Sequence, residues 1–280
     1  VQAYAGFETD LSAVSAARVD SADALDGVLL ALARHDPAAL SRGWRAYAAL
    51  TAAQSPAFVH GLQMRARAAG RAAVLRQLIR DPTYARRRPA GANEAIALML
   101  ATMSADASRL SVAADRYDGF ADEWGRSAPF AAPDDSQRSA RDQRLHEARM
   151  APLAPAIAAR LHIAPLAASP ASDPTGLGGA QFWDDLTGLP AATAAPMHPR
   201  ADRGALIDRA LTIAGIVAIE ATPQSTARID ALLDDPSSRA CLNVEQLEFR
   251  QCISVSHGAD EEAACLARHG LRNVETCLSF

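Results

Sequence analysis

The chain has 280 residues, enough to bury a sizeable core in one helical domain or in one large and one small. Its formal net charge of −4 argues against a general nucleic-acid binder. All 28 Lys+Arg residues are arginine, which excludes a Schiff-base lysine, a phosphate-loop lysine and a lysine general base.

The hydrophobic fraction of 49% is ordinary, but an aromatic content of 5% and the abundance of alanine predict closely packed helices and few strands. The chain begins Val1-Gln2-Ala3, which fits a precursor whose signal peptide has been removed, although a trimmed chain would begin the same way. The longest apolar run, 205–221, is interrupted by Asp208 and Arg209. It is too short to span a bilayer of about 30 Å, so a soluble protein without a transmembrane segment is expected.

Leu25, Val28, Leu29 and Leu32 stand at i, i+3, i+4, i+7 and predict a helix that ends at His35-Asp36-Pro37. Asp36 is placed to cap the next helix with Pro37 in its first turn, and Leu40, Trp44 and Tyr47 mark its buried side. Ser55-Pro56 repeats the device and starts a third helix that runs through Phe58, Leu62 and Leu78 to Asp81-Pro82. After an arginine-rich loop, Ile96, Leu100, Met103, Ala107, Leu110, Ala114 and Tyr117 form a heptad seam. One long helix within an antiparallel bundle explains that seam better than a dimer does, because neighbouring helices are available to fill it.

Residues 119–135 read as a loop, followed by a polar helix over 136–150 and an alanine-rich one over 155–163. The stretch 165–203 is rich in Pro, Gly, Ser, Asp and Thr and reads as a long irregular loop or linker. Helix resumes near Gly204 with Leu206, Ile207, Ala210, Leu211, Ala214 and Val217 on a broad apolar face, and Asp235-Pro236 leads into the cysteine-bearing segment. The expected organisation is an all-α helical bundle over 1–164, the loop over 165–203, and a C-terminal helical segment over 204–280 with a disulfide hairpin at 241–277.

The cysteines fall at Cys241-x10-Cys252-x12-Cys265-x11-Cys277. An even, clustered set in an exported chain reads as a disulfide framework, here with three possible pairings. On one helix Cys241 and Cys252 share a face within about 20° but stand roughly 16 Å apart, so they cannot bond to each other. An antiparallel partner helix beginning near Gly258 would pair Cys252 with Cys265 at the turn and Cys241 with Cys277 at the open end. Asp260, Glu261 and Glu262 suit the start of that helix, and Gly270 or Asn273 its end. Cys265 and Cys277 would differ by about 120° on an unbroken helix, so a break near Gly270 is expected.

This segment resembles the twin-cysteine helical hairpins of coiled-coil–helix domains, although those space each pair nine residues apart. The resemblance implies a structural clasp or docking module and carries over no catalytic residue. Zinc is disfavoured by the lack of a CxxC pair or a compact Cys/His cluster.

Two further stretches invite a binding role. Arg65, Arg67, Arg71, Arg76, Arg80 and the run Arg86, Arg87, Arg88 form a candidate anion patch, although a solvated face has the same composition. Gly176, Gly178, Gly179, Phe182, Trp183, Asp184 and Asp185 form a candidate binding loop, although a loop anchored by its aromatics reads the same. The histidines are scattered, with His257 and Glu261 able to share a helix face. No catalytic residue, metal ligand set or cofactor motif is assigned.

The expected role is that of a non-enzymatic, periplasmic or secreted protein acting by protein–protein interaction, with another protein or larger assembly as partner. Alternatives are a periplasmic hydrolase with a His/Asp/Glu site assembled by the fold, and a binder of anionic polymer or membrane surface through the arginine-rich helix.

Overall fold

The computed structural model describes residues 1–130, 134–148 and 200–279, and every regular element among them is helical. The candidate loop 176–185, the helix expected over 155–163 and most of the stretch 165–203 lie outside these residues.

The chain opens with a helix that the apolar spacing from Leu25 onward does not reveal, α1 (Gln2–Ala16). Tyr4, Phe7, Leu11 and Val14 bury one face of it at alternating steps of three and four. Helices α2 (Ala22–Ala33), α3 (Pro37–Ala52) and α4 (Pro56–Ala69) follow at the expected positions. The Asp36 side chain accepts from the Ala39 N–H at 2.7 Å, and Ser55 accepts from that of Phe58 at 3.5 Å, each with proline in the first turn.

The single helix expected from Pro56 to Arg80 is two. Gly70 adopts φ +86° and separates α4 from α5 (Arg71–Arg80), a left-handed conformation that glycine takes without Cβ strain. A short α6 (Tyr84–Arg87) then leads to α7 (Ala92–Trp124), the central helix.

Met103, Ala107, Leu110, Ala114 and Tyr117 of the seam are buried on α7, while at its start Ala95 and Met99 replace Ile96 and Leu100, which are half-buried. The seam faces neighbouring helices of the same chain: α3 and the C-terminal hairpin pack on it. Contrary to the expected loop from residue 119, α7 continues to Trp124. The reason is an aromatic ladder, with Phe120 5.5 Å from Tyr117 and stacked on Trp124 at 4.9 Å.

By length and composition α7, not the run 205–221, is the described helix that qualifies as a membrane span, yet half of its apolar window is buried inside the bundle. Its core contacts are partly polar. The Tyr4 hydroxyl donates to Asp106 at 2.9 Å beside buried Glu8 and Arg109, and burial with these carboxylates pushes the tyrosine well above its ordinary value.

Helix α8 (Asp135–Glu147) begins with a capping box on Asp134 and Gln137. Helix α9 (Arg203–Ala218) is buried nearly all round and packs on α3, and α10 (Thr226–Leu233) follows. The last segment is the clasped hairpin: α11 (Pro236–Val255), α12 (Ala259–Cys265), a π-helix (Leu266–Arg272) and α13 (Asn273–Cys277). Leu242, Phe249 and Ile253 of α11 enter the apolar core that also holds the residues of α1 to α7.

Candidate functional site

The hairpin is closed by Cys241–Cys277 and Cys252–Cys265, with Cα separations of 5.5 and 5.7 Å, ordinary for disulfides. The nested, antiparallel arrangement is the one expected from the spacing; the means of reaching it is different. The chain does not break at Gly270. The π-helix hydrogen bond spans five residues instead of four, so each residue turns through less than an α-helical step, and the roughly 120° excess between Cys265 and Cys277 is removed by under-winding. Gly270 serves by being small: a Cβ there would lie 3.0 Å from Leu266 and 3.3 Å from the Phe249 ring.

This geometry defines a seam. On α11 the inward residues are Cys241, Glu245, Glu248 and Cys252, at steps of four, three and four. Facing them are Cys265, His269, Asn273 and Cys277, at steps of four. A polar centre therefore sits between two covalent clasps. His269 Nδ1 is 3.0 Å from a Glu245 oxygen and 3.2 Å from a Glu248 oxygen, and Asn273 donates to Glu245 at 2.7 Å. His269 and Glu245 are half-buried, whereas Glu248 is exposed.

Behind His269 lies a narrow cleft of about 40 Å3, bordered by Phe7, His35, Leu40, Leu242, Phe249 and His269. His35 is buried with Nε2 2.7 Å from Asp10, which also pairs with Arg34. Burial raises the Asp10 carboxyl, but the hydrogen bonds of His35 and Arg34 outweigh it and hold the group below its ordinary value. A carboxylate-oriented imidazole is one part of an acid–base site. His35 Nδ1 has no hydrogen-bond partner among the described residues.

Two buried charge centres tie the hairpin to the bundle. Arg45 donates to Asp235 at 2.6 Å and to Ser238 at 2.9 Å, Arg200 donates to the same pair, and Ser238 donates to the Cys277 carbonyl. Burial lowers the Arg45 guanidinium to about 10. Burial would raise the Asp235 carboxyl, but the Arg200 hydrogen bonds and the Arg45 charge hold it well below the carboxylate range. At the other end, buried Arg141 pairs with Glu262 and lies 3.8 Å from Asp26, beside a cavity of about 280 Å3 that Asp23, Phe130 and Arg144 also line. Burial pushes the Glu262 carboxyl up despite Arg141. Glu262 thus does more than complement the helix dipole, and Glu261 caps the turn by accepting from the His257 backbone N–H at 2.7 Å.

Of the expected anion patch, Arg86 is committed to Asp208 at 2.9 Å, whereas Arg87 and Arg88 are exposed. Arg65, Arg67, Arg71, Arg76 and Arg80 are exposed as well. The pairing of His269 with Glu245 and Glu248, and that of His35 with Asp10, are absent from the sequence reading. The first was signalled by glutamates in helical register with Cys241 and Cys252; the second joins Asp10 on α1 to a residue 25 positions away in the turn between α2 and α3 and leaves no local signal.

Comparison with protein-family models, curated proteins and solved structures returns no match.

Proposed function

We propose that the protein is a non-enzymatic accessory protein of an oxidising, extracytoplasmic compartment, and that it docks through the outer face of α11 onto a partner protein bearing an apolar groove. The observation that carries this reading is an apolar line on that face. Val244, Leu247 and Val255 are 49%, 67% and 64% exposed. They lie within about 80° of one another at steps of three and eight, over roughly 16 Å of helix. This is the anchor pattern of a helix laid into a groove.

The same helix buries Leu242, Phe249 and Ile253 on its inner side and is held by both disulfides, so the line is presented without the ordering cost of a free helix. Three side chains bury far less than the about 800 Å2 per partner of a stable interface, which favours a larger groove over a second copy of the same line. Two disulfides support the oxidising compartment.

The test is Val244→Glu combined with Leu247→Glu. Loss of association with the native assembly, at unchanged thermal stability of the isolated chain, is the expected result. Association equal to that of the parent chain would overturn the reading.

A second reading rests on the arginine face of α4 to α6. No aspartate or glutamate occurs from residue 37 to residue 80. The exposed arginines there would grip an anionic polymer or membrane surface. Binding to anionic vesicles that weakens with salt and is lost in the Arg87→Gln, Arg88→Gln double variant is expected under this reading alone.

A further inference from the structure

We propose that the seam of the hairpin binds one divalent transition-metal ion of the zinc class, with His269 Nδ1 and the Glu245 and Glu248 carboxylates as its protein ligands. The three ligand atoms lie within 4.8 Å of one another. Two ligands about 2.1 Å from a common ion stand roughly 3.0 to 3.4 Å apart at octahedral to tetrahedral angles, and the His269 nitrogen is 3.0 and 3.2 Å from the two carboxylates. Both contacts of the His269 nitrogen therefore match the spacing of ligands around one ion. One imidazole and two carboxylates suit zinc and the neighbouring late first-row ions better than magnesium or calcium, which favour all-oxygen sets.

Three features of the surroundings fit a ligand set rather than a chance contact. Asn273 donates to Glu245 at 2.7 Å and orients that carboxylate, as outer-shell partners of metal ligands do. The nearby cation Arg272 is drawn away to Asp115 and Asp118, at 2.8 Å each, and leaves the paired carboxylates without a competing guanidinium there. His269 enters the seam through the π-helix, a local form often found at functional sites.

The two disulfides bracket the centre and hold the α11 carboxylates against the imidazole, so ion binding needs no ordering of chain. Glu248 opens to solvent, which leaves coordination positions for water or for a group from outside. The inference does not rest on the docking face: Glu248 borders it, about 20° round the helix from Val255, but Val244 and Leu247 are not ligands, so the Val244→Glu, Leu247→Glu variant and the zinc titration test the two readings separately.

The experiment is titration of the oxidised full chain with zinc chloride by calorimetry, and with cobalt chloride by visible absorption. All four cysteines are in disulfides, so no thiolate competes. One equivalent of zinc should bind and raise the unfolding temperature, and cobalt should give a visible band. Glu248→Gln alters an exposed residue and should weaken zinc binding at least tenfold while leaving unfolding in chelator unchanged. His269→Gln should abolish the cobalt band. Equal zinc affinity in the parent and both variants, or no zinc-dependent change in the parent, would show the trio to be an ion pair only and would overturn the proposal.

Discussion

At the scale of single residues, the buried charges decide how the hairpin is seated. Asp235 neutralises Arg45 and accepts from Arg200, so Asp235→Ala leaves a buried guanidinium without its main counter-ion and should cost about 3–5 kcal/mol in denaturant unfolding. Replacing the pair together, Arg45→Met with Asp235→Leu, should cost clearly less, because no charge is then stranded. The same centre sets an acid limit. Asp10 and Asp235 have folded-state values below those of the unfolded chain, so their contribution is complete above the ordinary carboxylate value and is lost as pH falls through the lower folded values. Glu262 and Asp208, raised by burial, act in the opposite sense and are relieved by protonation. Stability measured against pH should therefore decline below about pH 4, with a shallower decline in Asp235→Asn.

At the scale of elements, proline-capped helix starts and regular apolar spacing were legible in the sequence. Asp36-Pro37 and Ser55-Pro56 each begin a helix because a side-chain acceptor and a fixed φ act locally. Other features depended on tertiary packing. Helix α1 mixes Tyr4, Phe7 and Leu11 with buried Glu8 and Asp10, whose partners lie on α7 and in the turn after α2, so its polar residues mask the stripe. Gly70 reads as an ordinary interior glycine until its positive φ is known, and Gly70→Ala should destabilise by about 1 kcal/mol through that conformation, with no contact altered.

In the hairpin, the cysteine spacing gave the register, but the twelve-residue interval was reconciled by a π-helix that no local propensity announces. Gly270→Ala should cost about 1–3 kcal/mol by pressing on Leu266 and Phe249. The two clasps should differ: Cys241–Cys277 spans 36 residues and Cys252–Cys265 spans 13, so replacing the wider pair with serines should cost about 1 kcal/mol more on loop entropy alone.

At the scale of the whole molecule, composition indicated helices and excluded lysine chemistry, while the arrangement that suggests a role emerges only in three dimensions. Glu245, Glu248, His269 and Asn273 are unremarkable as letters; they converge because two disulfides and an under-wound turn place them in one seam. The outer line of Val244, Leu247 and Val255 is equally hard to read from sequence, since α11 is apolar on its inner face as well and the two faces blur its periodicity. Among the described residues this helix is thus anchored on one side and open on the other.

The central claim is that this open side meets a partner. Its most direct test is a photo-reactive residue placed at Leu247 in the protein in its native cells, with the isolated exposed apolar residue Val112 on α7 as control. A covalent adduct to one partner protein, formed from position 247, lost with Val244→Glu and absent from position 112, is the predicted result. No adduct from position 247, or the same adducts from both positions, would contradict the account.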